Sequence, residues 1–481
     1  MWYDICSEPI ALKGDDEKMI NKALEPLYQE LLTEYQERFP LSARQHARSK
    51  SVMVDGGQHT IRLFDPYPIY IRSANGAYVD DLDGHHILDF WQGHFANILG
   101  HNPPLVLQQL QEMFAAGGGL QTGMVDELTY ELADLICRQT GAERVRFTTS
   151  GSLSTMYAIM LARGFTGRQL VLKVGGGWHG AQPWGLVGVN FGVQGYRHSE
   201  SQGLPGVAAD EVRVTQFNNE AALAEAFAEY GDQLACFILE PVIGASGAIL
   251  GRPSYLQLAR QLTEKYGALL ILDEVISGFR FRAGNVGMLY GIQPDLTTLG
   301  KIIGGGMPIA TVAGRAEVMR LAGREGGRKV RFDGGTFSAH PASMMAGKSM
   351  LSYLVAHEAE VYGRLADLGQ QVRQHVEQIL ASYGVLAKCT GYPNEAIKGS
   401  SLAMVHFPVK EGMVIDSPEV AADPNCCSLE MRERVFKLAM LIQDVYTTHG
   451  LGALSTAHSA SDLEKLYHAC EQFAQRLISF R

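Results

Sequence analysis

The stretch from Leu270 to Pro308, LILDEVISGFRFRAGNVGMLYGIQPDLTTLGKIIGGGMP, constrains this chain more than any other. Asp273 closes an apolar run continuous enough to be buried, and Lys301 stands between a second short apolar segment and the glycine triplet 304–306. A carboxylate at the end of a buried strand needs a cationic partner, or its pKa rises. An amine among apolar neighbours keeps a usable uncharged fraction and can attack a carbonyl carbon. If the chain brings both ends of the stretch to one cleft, the acid can face a protonated ring nitrogen while the amine faces an aldehyde. Other readings stay open for each residue alone. Asp273 can cap a helix or pair with Arg280 or Arg282, and Lys301 can be a surface lysine, although Ile302, Ile303 and Met307 fit that poorly. A nucleotide phosphate loop is excluded, because Ile302 follows the Gly-Lys pair where Ser or Thr is required and Asp295 holds the place of the first glycine.

Flanking patterns set the architecture. Residues 17–38 carry Ile20, Leu24, Leu27, Leu31 and Tyr35 at helical spacing, and Pro40 is expected to stop that helix. A turn at Gly56-Gly57 and a hairpin signal at Asp83-Gly84 make the rest of 1–104 read as β-rich. From Val145 a strand, the turn Ser150-Gly151-Ser152 and a helix succeed one another, with further strands at 170–174, 212–214, 236–239, 269–272 and 309–313. This alternation predicts an α/β domain over 105–350 built on a mostly parallel sheet. Residues 351–481 read as a smaller α+β domain, joined in space by the N-terminal segment, with helices at 357–383, about 430–446 and 460–479 and a strand at 402–407.

A net charge of −10 excludes nucleic acid and anionic membrane as main partners, since both require a basic face. No apolar run approaches the ~18 residues of a membrane span. Seven scattered cysteines without a C-x-x-C pair, and an N-terminus MWYDICSEPI without a basic start, predict reduced thiols in a cytoplasmic protein. His357-Glu358 does not continue to a zinc-binding HExxH pattern.

Two further motifs bear on chemistry. Ser150-Gly151-Ser152 lies where backbone N–H groups and a helix N-terminus favour a phosphate, and where Ser and Gly are also ordinary capping residues. Trp178-His179-Gly180 follows Gly175-Gly176-Gly177, and its indole can stack on a flat ligand or belong to the core.

Together these motifs, with Glu240-Pro241, Leu272-Asp273-Glu274-Val275, Thr298-Leu299-Gly300-Lys301 and Gly335-Thr336-Phe337-Ser338, resemble the class III aminotransferases of fold type I. The resemblance runs from about Phe64 to the last helix and is nearest to glutamate-1-semialdehyde 2,1-aminomutases and β-amino-acid aminotransferases. It implies pyridoxal 5′-phosphate as cofactor. Lys301 would hold the cofactor's aldehyde carbon and, once displaced, move a proton between substrate and cofactor. Asp273 would pair with the ring nitrogen, Val275 and Trp178 would cover the two ring faces, and His179 would also line the cofactor site. Ser150, Gly151 and Ser152 would grip the phosphate, and Glu240 would approach the ring oxygen. Thr336 would reach the phosphate of a neighbouring subunit's cofactor, which implies a homodimer with shared sites.

The sequence departs from the family at Leu153 and Ser154, where Glu and Ala are usual, and at Trp178, where Tyr is usual. Arg62, close to His59, is the candidate clamp for a substrate carboxylate, or else a surface strand residue. Residues 181–207 read as a loop that gates the site. The expected activity is amino transfer between an amino acid or amine and an oxo acid or aldehyde. An aminomutase that transfers the group within one molecule is the alternative, and a catalytically silent binding protein is the third reading.

Overall fold

Seven strands form the sheet that positions the site in this computed structural model, which describes residues 15–480 except 193, 194, 197, 326 and 328. They are β1 (Arg144–Thr148), β2 (Leu170–Val174), β3 (Val212–Thr215), β4 (Leu234–Leu239), β5 (Leu269–Glu274), β6 (Leu296–Leu299) and β7 (Ala310–Gly314). Their order across the sheet is β1-β7-β6-β5-β4-β2-β3. β5 is parallel to β6 and β4, and β2 is parallel to β4 and β3. Only β7 runs against its neighbours, β6 and β1. Connection length explains the exception: residues 300–309 alone join β6 to β7, fewer than the dozen or so that a parallel crossover needs. Every residue of the central strands β4 and β5 is buried, which is why both read as unbroken apolar runs up to their ends.

A second core lies away from this sheet. The chain's helices include α1 (Asp15–Arg38), α2 (Pro40–Lys50), α3 (Gly151–Thr166), α4 (Pro341–Ala356), α5 (Glu358–Ser382) and α6 (Ala460–Ser479). Leu24, Leu27, Leu31 and Tyr35 of α1 pack with Leu368, Val372 and Val376 of α5 and Leu466 and Phe473 of α6 in one buried cluster. The N-terminal stripe therefore finds its partner at the far end of the chain. A four-stranded sheet makes the same join, because Val445–Tyr446 pairs in parallel with His86–Asp89.

Pro40 stops the first helix as expected, α1 ending at Arg38, and itself starts α2 at its first turn, where a missing N–H costs nothing. One expectation needs correction. The helix expected over 430–446 ends at Ile442, because Asp444 takes a positive φ of 56° and turns the chain into the Val445–Tyr446 strand. The six described cysteines are all free, and Cys6, with the N-terminal reading, lies outside the described residues. No helix among the described residues is long and apolar enough to cross a membrane.

Candidate active site

The carboxyl ends of the parallel strands open onto one cavity of about 510 Å³. Residues 150–152 follow β1, Trp178 and His179 follow β2, Glu240 follows β4, Asp273 ends β5 and Lys301 follows β6; all of them line it. This is the edge at which open α/β sheets bind ligands. Met307, Pro308 and Ile309 close the floor just before β7 begins.

Asp273 is buried and held from three directions. Thr298 Oγ1, on the neighbouring strand in register, donates to Asp273 Oδ1 at 2.8 Å, and the Val275 N–H donates to the same oxygen at 3.2 Å. His179 Nδ1 lies 2.7 Å from Asp273 Oδ2. Burial lowers the His179 pKa despite the carboxylate, so the ring is neutral and its Nδ1–H donates. His179 Nε2 is buried without a hydrogen-bond partner. Neither Arg280 nor Arg282 pairs with Asp273, so the carboxylate is free to face a cationic ligand atom.

Two lysines are candidates for the reactive amine, and geometry separates them. Lys173 of β2 is fully buried, and its ammonium is caged by the carbonyls of Gly177, Gly185 and Val187 at 3.0, 3.1 and 2.7 Å. It ties down the loop that carries Trp178 and His179. Lys301 makes no such bonds and lines the cavity. Its pKa is lowered by burial against the pull of Asp273 and Glu240, with Arg280 adding to the lowering. Lys301 also adopts a φ of 50°, a left-handed conformation that a residue with a side chain takes only where its surroundings enforce it.

The turn before α3 combines the two roles left open by sequence. Ser150 is the N-cap, its Oγ accepting from Leu153 N at 3.4 Å, while Gly151 and Ser152 line the cavity in the helix's first turn. Ser154, where the family usually has Ala, turns inward and bonds Thr148 Oγ1 at 2.7 Å, tying α3 to β1. Ala181 N donates to Ser152 Oγ at 3.2 Å. Gly180 makes this close approach possible: at its φ of 82°, an added Cβ would overlap Ser152 Oγ and lie 2.5 Å from Ser152 Cα. Gly180→Ala is expected to weaken phosphate-cofactor binding by roughly tenfold or more, read by equilibrium titration of the visible band, with secondary structure intact.

Glu240 accepts from Trp178 N at 2.9 Å and from Gly244 N at 3.1 Å. Burial, reinforced by Asp273, nevertheless pushes its pKa up to about 8. The folded-state value exceeds the ordinary 4.5, so this group's contribution to stability is complete below about 4.5 and is lost as pH rises through about 8. Between about pH 6 and pH 9 the cofactor-free protein should lose thermal stability, and Glu240→Gln should lose roughly 2 °C less, by calorimetry at both pH values.

Arg62 and His59 stand outside the cavity wall, on and beside the short turn Thr60–Arg62 rather than on a strand. Arg62 Nε donates to His94 Nε2 at 2.9 Å, and the His59 and His94 rings meet edge to face at 4.9 Å. Burial and then Arg62, His59 and Lys301 push the His94 pKa down to about 3, which keeps this acceptor neutral. Sequence reading missed His94 because its segment, Gln92–Phe95, is a left-handed turn with φ between 45° and 64°, and only Gly93 hints at it. Thr336 is exposed and does not line this chain's cavity; its carbonyl accepts from Gln121 Nε2 at 2.9 Å. The proposed gating loop falls partly outside the described residues, while Gly188 N donates to the His198 carbonyl at 2.8 Å within it.

Sheet order, cavity and amine–acid pair define a transaminase-type α/β enzyme of fold type I, and known structures agree. An omega-transaminase from Sphaerobacter thermophilus superposes with a TM-score of 0.81 at 32% identity, over 92% of this chain and 98% of the other. A β-phenylalanine aminotransferase from Variovorax paradoxus gives 0.80 at 29%, over 94% and 97%. The chain belongs to the class III aminotransferases, whose family model, described as aminotransferase class-III, matches residues 62–392. Among curated relatives, the glutamate-1-semialdehyde 2,1-aminomutase of Thermoplasma acidophilum is 36% identical over 346 residues, 72% of this chain and 80% of the relative. Membership in a family of enzymes leaves the silent-binding reading without support.

Proposed function

We propose that the protein moves an amino group between an amino acid or amine and an oxo acid or aldehyde, using pyridoxal 5′-phosphate held in the cavity described above. The observation that carries this is the pairing of Lys301, partly buried and unbonded, with a buried Asp273 in one cavity. The cavity suits the group: it has the size of a cofactor site, a helix N-terminus with two serines at one end, and a carboxylate at the other. When bound, the cofactor supplies an aldehyde that takes up the amino group and a ring that withdraws electrons from the adjacent carbon.

The chain's residues do the rest. Asp273, oriented by Thr298, Val275 and neutral His179, stabilises positive charge at the ring nitrogen. Val275 packs against Gly151 and Gly300, where added Cβ atoms would come within 3.0 and 3.2 Å of its methyl group, and so forms a fixed wall for one ring face. Trp178 covers the other. Lys301 Nζ, displaced by the substrate amine, takes a proton and returns it. Glu240, protonated through neutral pH, presents an O–H toward the ring oxygen. Ser150, Gly151 and Ser152 bind the phosphate.

Arg62, steadied through Nε by His94, offers its remaining N–H groups to a substrate carboxylate, with His59 beside it. Arg62→Met should raise KM for a carboxylate-bearing donor about 10–100-fold while leaving a carboxylate-free amine donor nearly unchanged, by steady-state kinetics on both.

The name of the curated relatives favours a second reading, an aminomutase acting on one amino-aldehyde. The two differ in whether a second substrate is needed. Amino donors should convert the visible band of the pyridoxal form and require an added oxo acid for turnover. Steady turnover of a single amino-aldehyde without an oxo acid overturns the transferase reading.

A homodimer with shared sites gives Thr336 its role at the phosphate of the partner's cofactor. An exposed apolar surface beside it supports an interface: Phe337, Leu120, Met124 and Val125 are 59%, 73%, 82% and 95% exposed. One buried core drawn only from residues 24–90 and 368–477 supports a smaller unit formed by 351–481 with 1–104 beside a larger one, 105–350, and another core, which includes Trp91, Phe95, Leu402 and Met404, joins the two. Free thiols at all six described cysteines suit a cytoplasmic setting.

A further inference from the structure

Arg280 is among the largest fully buried side chains of the protein, and it has no carboxylate partner among the described residues. A buried guanidinium is costly to desolvate, and burial lowers its pKa to about 10, with only the Tyr362 phenol offsetting the effect. Its hydrogen bonds go instead to three separate segments. Nε donates to the Ile276 carbonyl at 3.1 Å, Nη1 to Ser401 Oγ at 3.4 Å, and Nη2 to the Phe95 carbonyl.

Each contact bears on the cavity. Ile276 lines it and lies three residues beyond Asp273. Phe95 ends the left-handed turn whose Gly93, with the adjoining Ala96 and Asn97, forms another wall and whose His94 steadies Arg62. Four consecutive left-handed residues, three of them not glycine, are strained and need an external hold. Ser401 precedes the strand Leu402–His406 from the C-terminal part of the chain. A methionine of similar volume could fill the space, but it could neither bind two carbonyls nor carry charge.

The charge also has an address. Burial is the main influence against the protonated form of the Lys301 amine; among charged groups Asp273 and Glu240 favour that form and Arg280 opposes it. Both acids sit at the ends of β strands, whereas Arg280 comes from the segment between β5 and β6. We propose that Arg280 is a positioning residue for this site: it clamps the left-handed turn and Ser401 onto the segment after Asp273, and its guanidinium, with no carboxylate partner among the described residues, contributes to the reactivity of the Lys301 amine.

This inference rests on Lys301 being the reactive amine, and the test separates the two. The full-length protein, freed of cofactor, is acylated with a trace of radiolabelled acetic anhydride across a pH series, and the Lys301 peptide is quantified against surface-lysine peptides of the same chain. Wild-type Lys301 should label faster at neutral pH than the surface lysines. Arg280→Gln, which keeps amide donors but not the charge, should label Lys301 about three- to tenfold more slowly at about pH 7. Arg280→Lys, which keeps the charge but not the three-way grip, should label like wild type while raising KM for a carboxylate-bearing donor in the cofactor-loaded enzyme. Asp273→Asn, as a control, should move labelling the other way. Equal labelling of Lys301 in wild type and folded Arg280→Gln overturns the inference. If wild-type Lys301 labels no faster than surface lysines, the reading of Lys301 as the reactive amine fails instead. Should Arg280→Gln not fold, Arg280→Lys decides: slow labelling with the charge retained overturns the proposal, and wild-type labelling with a raised KM upholds it.

Discussion

Lys301→Ala lowers amino transfer by about 10⁴-fold or more, because a single change removes both the covalent anchor and the group that shuttles the proton. The loss should appear in kcat, with Tm close to wild type. The Lys301 side chain makes no hydrogen bond in the described structure, and alanine keeps the Cβ, so the strain of the left-handed backbone is unchanged. Lys173 cannot substitute, since its ammonium is committed to three carbonyls. A small amine added to the solution should restore part of the activity, as external bases do when a proton-transferring side chain is missing. Retention of more than a tenth of the wild-type rate would contradict the assignment.

Asp273→Asn is expected to cost about 10³-fold in kcat, the scale of removing one well-aimed electrostatic contact from a buried site. Thr298 and Val275 can still bond the amide oxygen, so the strand end should hold its shape. The charge opposite the ring nitrogen is gone, however, and the amide N–H₂ now faces His179 Nδ1. The imidazole must shift its proton to Nε2 to accept that bond, and the buried pair changes polarity. Cofactor affinity should fall with kcat. A variant with normal kcat and only weaker cofactor binding would show that Asp273 holds the group without assisting the chemistry. Stopped-flow measurement of the half-reaction with a saturating amino donor separates these outcomes.

The sequence carried the local features and not the distant ones. Asp273 was legible because β5 is buried on both faces, so an acid at its end interrupts an otherwise continuous apolar run. Lys301 stood out for a similar reason, between β6 and a glycine-rich turn too short for a crossover helix. The link from His179 to Asp273 spans 94 positions, and nothing in either segment names the other. The left-handed turn at 92–95 was hidden because Gln92 and Phe95 carry no preference for positive φ. Pro40 was legible as the stop of α1 but not as the start of α2, because a proline that cannot continue one helix is equally suited to begin the next. The cap at Ser150 and the cavity at Ser152 show how one turn can satisfy both a structural and a ligand-binding reading.

Borohydride reduction of the cofactor-loaded protein, followed by digestion and mass spectrometry, tests the central assignment most directly. A single phosphopyridoxyl group on the peptide containing Lys301, lost when an amino donor is added before reduction, is the predicted result. Modification at Lys173 or another lysine, or no modification of a protein that binds the cofactor, would contradict it.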